Sequence, residues 1–334
     1  MIKIKEDIFH YYFYFVQERM KIFWNRYEMT GKSLTQDTIL KTYKFTNVYR
    51  SCDRVSQYLI RNVIYNEDYN YSERDILFRI IIFKIFNKIE TWEYLESKIG
   101  VIKLDNFILK DINKILLEKK SYSPIFSNAY MMTGTHSLYN HLDFKHEKWL
   151  QMVNDELIGG KVFEQILAAK SMEKVYSLLR DCSFIGDFLA YQYTIDFNYS
   201  PVINFSEDSF VKAGIGSIRG IKKCFASLEG GSFEDAIRFT LENFDTFQKK
   251  YGFDGFENLF GREMTLIDIQ NCFCETDKYL RAKVPELQVD NVRIKQKYKE
   301  SSKSIDLFFP PKWGLNSKIN NQCLPPNTMV LTLF

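Results

Sequence analysis

Asp268, Asn271, Glu275 and Lys278 stand three, four and three positions apart in TLIDIQNCFCETDKYLR, residues 265 to 281. Laid on a helix they share a narrow polar face, opposite a buried side of Ile269, Cys272, Phe273, Tyr279 and Leu280. Lining a cleft, that set supplies a carboxylate to stabilise an oxocarbenium-like sugar or to activate water. It also supplies an amine to bind phosphate or to attack a sugar carbon. On an open surface, Glu275 and Lys278 reduce to an ordinary ion pair.

A second candidate face lies in FTNVYRSCDRVSQYLI, residues 45 to 60. Phe45, Val48, Tyr49, Cys52, Val55, Leu59 and Ile60 recur at helical spacing, leaving Asn47, Arg50, Asp53, Arg54 and Gln57 on the other arc. The alternatives are a solvated arc with local ion pairs and the wall of a cleft. In GDFLAYQYTIDFNYS, residues 186 to 200, Asp187, Gln192 and Asp196 punctuate an apolar helix, where buried acids and amides need a partner or a purpose. The stretch KAGIGSIRGI joins two expected short helices, and Gly214 and Gly216 would aim N–H groups outward as an anion cradle. Ser217, Arg219, Gly220 and Lys222 continue it, and Lys212 and Lys223 flank it. Without a Walker Lys-Ser/Thr or a Rossmann strand, this turn suits a nucleic-acid phosphate, in the manner of a helix-hairpin-helix backbone clamp. The other reading is a tight turn between packed helices. His136, His141 and His146 fall at five-residue intervals, which do not share a helical face, so neither a metal nor another cofactor is expected.

Helical periodicity positions these residues. Helices are predicted over 7–29, 37–65, 72–98 as one or two with Ser72 as N-cap, 104–120, 145–157, 160–169, 171–180, 184–197, 208–225, 233–249 and 265–282. The expected fold is therefore mainly α, with one helical unit over 1–283, in one or two lobes around a cleft, and an irregular tail over 284–334. Six cysteines without a CxxC pair, charge around the first aromatic run and no apolar span suggest a reduced, cytoplasmic protein without a membrane partner. The net charge of +3 excludes a generally polybasic nucleic-acid coat but allows a local basic groove.

In order along roughly residues 30 to 282, the segments LTQDTILKTYKFTNVYRSCDRVSQYLI, FNKIETWEYLE, GDFLAYQYTIDFNY, AGIGSIRGI and LIDIQNCFCETDKY resemble the α-glutamyl/putrescinyl thymine pyrophosphorylases. That family also supplies the helical domain of 5-hydroxymethyluracil DNA kinases. The most specific matches are FTNVYR-x-x-DR and CE-x-x-KY. The resemblance implies a helix-hairpin-helix DNA glycosylase-like fold acting on double-stranded DNA that carries modified bases, with no obligate protein partner. Its first implied activity is an N-glycosylase, set against phage with hypermodified DNA, that flips and excises a bulky modified pyrimidine and leaves an abasic site. Asp196, Asp268 or Glu275 would then stabilise the sugar cation, with Lys278 as phosphate ligand or nucleophile. Asn47, Arg50, Asp53, Arg54, Asp187, Gln192 and Asn271 would form the base or phosphate pocket. The alternative activity transfers an amine or amino acid to a pyrophosphoryl-methyl pyrimidine in DNA, with Lys278 and Arg50 binding the departing pyrophosphate. A third reading is a non-catalytic module that senses modified DNA. The chain departs from the family at Ser33-Leu34-Thr35, where Pro-Trp-Thr is common. It also lacks a P-loop, which would leave out the kinase activity of the fused relatives.

Overall fold

The apolar spacing near the start of the chain folds into a long helix, α1 (Glu6–Tyr27), preceded by a two-residue strand, β1 (Lys3–Ile4). Phe9, Tyr12, Phe13, Val16 and Met20 are buried along one side of α1, and Glu6 and Asp7 complement the dipole of its first turn. These elements come from a computed structural model that describes residues 2–28, 33–66, 70–128, 132–287, 296–298 and 306–319. Cys323 and most of the KQKYKESSKS stretch lie outside the described residues. The chain forms two units, each discontinuous in sequence. The first draws on residues 1–54, 210–307 and 315–334, the second on 55–209 and 308–314.

After α1 come a short helix, α2 (Thr38–Thr42), an extended stretch, a 3-10 turn at Arg50–Cys52, and α3 (Arg54–Tyr58), which runs into a π-helical turn at Leu59–Ile64. The single helix expected over 37–65 is thus broken. The second unit continues with α4 (Glu73–Phe86), α5 (Ile89–Ile99), α6 (Leu109–Lys120) and α7 (Lys145–Met152), the last extended by a π-helical turn at Val153–Gly159. It closes with α8 (Val162–Leu167), α9 (Met172–Arg180) and α10 (Asp187–Asn198). Ser72 caps α4 by accepting from the Asp75 amide, as its position predicts.

Within the second unit, buried Arg79 holds open backbone ends together. It donates to the carbonyls of Val63 and Ile102, each at 2.8 Å, and lies against the rings of Tyr71 and Trp92. Residues 308–314 also belong to this unit: Lys312 Nζ donates to the carbonyls of Asn198, Ser200 and Ile203, just past the end of α10, where a cation complements the helix dipole. Trp313 meets Tyr199 edge-on with ring centroids 5.6 Å apart.

The first unit resumes with α11 (Ile215–Cys224), β2 (Phe225–Ser227), α12 (Phe233–Glu242), α13 (Phe244–Lys250) and α14 (Leu266–Lys283). β2 pairs antiparallel with β1, Ile4 opposite Phe225. Residues 208–214 form no helix, so the expected helix, glycine turn and second helix are not built there; Gly214 is simply the N-cap of α11. Gly216 and Gly220 instead lie inside α11, one turn apart, where it packs on α14. A Cβ on Gly216 would come within 2.4 Å of Cys274 Sγ, and one on Gly220 within 2.1 Å of the Phe273 carbonyl oxygen. These glycines let two helix backbones approach, a demand at least as strict as that of a phosphate cradle.

This packing predicts that Gly220→Ala destabilises the protein by about 1–3 kcal/mol despite alanine's better helix propensity, because the collision is with main chain. Gly255→Ala, with nothing within 4 Å of the new Cβ, should change stability by less than about 0.5 kcal/mol. Urea unfolding of both variants checks the contrast, and an unaffected Gly220→Ala would return the glycines to the ligand-binding reading.

Candidate functional site

The polar face of α14 forms as its spacing predicts, and it grips main chain. Thr265 caps the helix: its backbone N–H and Oγ1 both donate to Asp268 Oδ2 at 3.1 Å. Asp268 Oδ1 accepts from the backbone N–H of Arg50 at 3.0 Å. One turn on, Asn271 Nδ2 donates to Thr46 Oγ1 and to the Asn47 carbonyl, both at 3.1 Å. Buried Glu275 takes the Thr46 N–H on Oε2 at 3.2 Å and the Lys278 ammonium on Oε1 at 2.6 Å.

The held segment closes on itself. The Asn47 N–H donates to Asp53 Oδ1 at 2.8 Å, and Asn47 Nδ2 donates to the Cys52 carbonyl at 2.9 Å. Arg19, 2% exposed on α1, donates from Nη2 to Asn47 Oδ1 at 2.9 Å. With the amides of Thr46, Asn47 and Arg50 all given to carboxylates, residues 46–50 cannot make the i to i−4 bonds of the expected helix. Arg19 was not among the sequence-derived candidates. Its only signal is a guanidinium among the apolar positions of the first helix, where a buried charge needs a partner.

Burial lowers the Arg19 guanidinium to about 10, although Asp53 and Glu275 pull the other way. Burial likewise lifts the Asp53 carboxyl to about 6, against the stabilising Asn47 N–H and Arg19. For Lys278, burial alone would favour loss of the proton, but Cys274 and the Glu275 carboxylate hold the ammonium above the usual lysine range. The Glu275 carboxylate thus favours the charged form of Lys278. Its side chain is 26% exposed, so it can still meet a ligand. A cation with a buried counter-carboxylate and an acid poised near neutrality can bind phosphate and move a proton.

The first unit thus gathers Asn47, Arg50, Asp53, Asp268, Asn271, Glu275 and Lys278, with half-buried Arg54 opening α3 at its boundary. The Arg50 side chain is buried. Asp187, Gln192 and Asp196 belong to the second unit. There Asp196 is buried 3.4 Å from buried Lys84, Asp187 is exposed beside Arg180 and Tyr176, and Gln192 is buried. On α11, Ser217 is buried, Arg219 half-buried and Lys222 exposed. Lys223 is locked at 2.9 Å to Asp277, which also holds Arg281 at 3.1 Å. Among the described residues no group of three or more His, Cys, Asp or Glu could hold a metal ion, and no helix is long and apolar enough to cross a membrane.

A family described as the helical domain of 5-hmdU DNA kinase matches residues 6–289. The 5-hmdU DNA kinase of Bacillus phage SP10 is 25% identical over 337 residues, covering 95% of this chain. The chain spans about half, 51%, of that relative's length. No solved structure matches. These findings correct the N-glycosylase expectation: family and relative are named for a kinase, a transferase that leaves the base attached, and not for a hydrolase that removes it.

The raised Asp53 carboxyl gives a signed pH test. A carboxyl that holds its proton more tightly folded than unfolded contributes stability that is lost as pH rises from about 4 to about 6. Relative to Asp53→Asn, which keeps an acceptor for the Asn47 N–H, the protein should lose up to about 3 kcal/mol over that window and then level off. Paired denaturation curves at several pH values measure this, and a difference that stays flat or grows would remove the raised carboxyl.

Proposed function

The chain belongs to the family of 5-hmdU DNA kinase helical domains, and from that membership we propose that it is a group-transfer enzyme of DNA base hypermodification, working at the 5-hydroxymethyl arm of a modified pyrimidine. Phosphorylation of such an arm turns a poor leaving group into a good one. The reading favoured for this chain is the displacement that follows: an amine or amino acid attacks the exocyclic methylene carbon of a pyrophosphoryl-methyl pyrimidine in DNA. A C–N bond forms, the C–O bond breaks, pyrophosphate leaves with the electron pair, and the amine's proton passes to a base.

The observation that carries this reading is the Lys278 ammonium, held protonated at 2.6 Å from buried Glu275 and still partly exposed. A cation so placed stabilises the charge that grows on a departing pyrophosphate and does so without reorganising. Asp53, raised to about 6 and tied to the same segment through the Asn47 amide, is the candidate acceptor of the amine's proton. Asp268 and Asn271 act by holding main chain, so their part is to position residues 46–50. A second reading, phosphoryl transfer to 5-hmdU itself, is favoured by the name of the relative that matches 95% of the chain. Lys278 would serve it by binding the transferred group.

Nucleoside mass spectrometry on duplex DNA separates the two. Pyrophosphorylated hydroxymethyl-pyrimidine DNA supplied with an amine should yield a nucleoside carrying that amine, and free pyrophosphate. Lys278→Met should slow the reaction by about a hundredfold. A phosphorylated nucleoside formed from 5-hmdU DNA and a nucleoside triphosphate would select the second reading. No mass change under either condition would sink both.

A further inference from the structure

The end of α10 gathers three carbonyls around one charge. Lys312 Nζ donates to the Asn198 carbonyl, to that of Ser200 at 3.2 Å and to that of Ile203 at 2.8 Å. An ammonium has three N–H donors, and the three carbonyls match them in number. Asn198, Ser200 and Ile203 are buried, whereas Lys312 is exposed and reaches their oxygens from the solvent side. Carbonyls at a helix C-terminus carry the negative end of its dipole, so their convergence makes a cation site out of neutral groups. Bonds within the loop set this arrangement, and none of them uses the Lys312 side chain. Asn198 Nδ2 donates to the Phe205 carbonyl at 3.0 Å, and Asn198 Oδ1 accepts the Phe205 N–H at 2.9 Å, which closes the loop. Ser200 Oγ donates to the Phe197 carbonyl at 2.6 Å. The Tyr65 hydroxyl donates to the Tyr199 carbonyl at 2.9 Å, so the intervening carbonyl is held by another group while those on either side face the ammonium.

A cage built by its own loop outlasts the departure of its occupant. Converging backbone carbonyls also hold potassium, by replacing its hydration shell, and potassium and ammonium ions are close in size. We propose that residues 198–203 form a monovalent-cation site which the chain fills with its own Lys312, so that a free potassium or ammonium ion is the equivalent ligand. Residues 308–314 are then docked on the second unit through a cation bond as well as through packing. In the intact chain the tethered ammonium excludes a free ion because its neighbours hold it at high effective concentration. Phe309 is buried, Trp313 meets Tyr199 edge-on, and the Phe308 N–H donates to Gln57 Oε1 at 2.7 Å. Truncation of Lys312 opens the cage to ions from solution. The site is independent of the transfer reaction given under the proposed function.

Thermal unfolding of the full chain at constant ionic strength, in potassium, ammonium or tetramethylammonium chloride, tests the site. Tetramethylammonium is too large for the cage and has no N–H to donate. Lys312→Ala should unfold below the wild type in tetramethylammonium and regain about half of the lost Tm or more, saturably, in potassium or ammonium. The wild type, its cage already filled, should show no saturable gain. Lys312→Thr keeps the base of the stem, leaves the ammonium's place open and should be rescued in the same way, which covers a Lys312→Ala protein too unstable to melt. Rescue of either variant by potassium or ammonium beyond the tetramethylammonium control, with none in the wild type, upholds the site. Variants that gain no more from potassium or ammonium than from tetramethylammonium, or a wild type that gains as much as they do, overturn it.

Discussion

The first unit depends on three side chains of one helix holding the main chain of a distant segment. Asp268, Asn271 and Glu275 take up polar groups of residues 46–50 that would otherwise serve a helix of their own. Hydrogen bonds to an ionised carboxylate are worth about 1.5–3 kcal/mol each, and a buried amide left without one would cost a similar amount. The grip therefore decides the local fold. Once 46–49 is held out of a helix, the Asn47 side chain is free to accept from Arg19, the Asn47 amide turns to Asp53, and a buried guanidinium acquires neutralising company. Remove the grip and Arg19 is a buried charge with weakened partners.

That dependence explains what the sequence could and could not disclose. The amphipathic runs of α1, α9 and α14 were legible because burial of a stripe is a local periodic property, while α4, buried all round from Ile76 to Phe86, was legible as an apolar run too long for a strand. The Ser72 cap was legible because a cap is built within one turn. The spacing of Asp268, Asn271, Glu275 and Lys278 disclosed one shared polar face of α14. What that face holds lies more than two hundred residues earlier in the chain, and no periodicity reports a partner that far away. The stretch 45–60 has apolar residues at helical spacing, yet side chains from another element outbid its own hydrogen bonds. Tertiary contacts overrode local propensity there.

The glycines of α11 teach the same lesson with a different force. Gly-x-Gly beside basic residues suggests an anion cradle, because the sequence shows composition and cannot show that Cys274 and Phe273 lie against the missing Cβ atoms. Steric closeness between helices and close approach to a phosphate both ask for the same residue. Only the packing partner separates them.

Charge bookkeeping over the described residues then narrows the chemistry. Several cations that sequence alone would offer to a phosphate are held by their surroundings: Lys84 by Asp196, Lys223 by Asp277, Arg19 by Asn47, Lys312 by three carbonyls. Lys278 differs in being anchored by a buried carboxylate while about a quarter of its side chain remains exposed. An anchored cation loses less freedom on meeting a phosphate than a mobile surface lysine would, so it discriminates better by geometry. Glu275 makes this possible by facing both ways, one oxygen on the Thr46 amide that fixes the segment and the other on Lys278. The same carboxylate thus sets the backbone and the cation, which ties any movement of residues 46–50 to the position of the Lys278 charge.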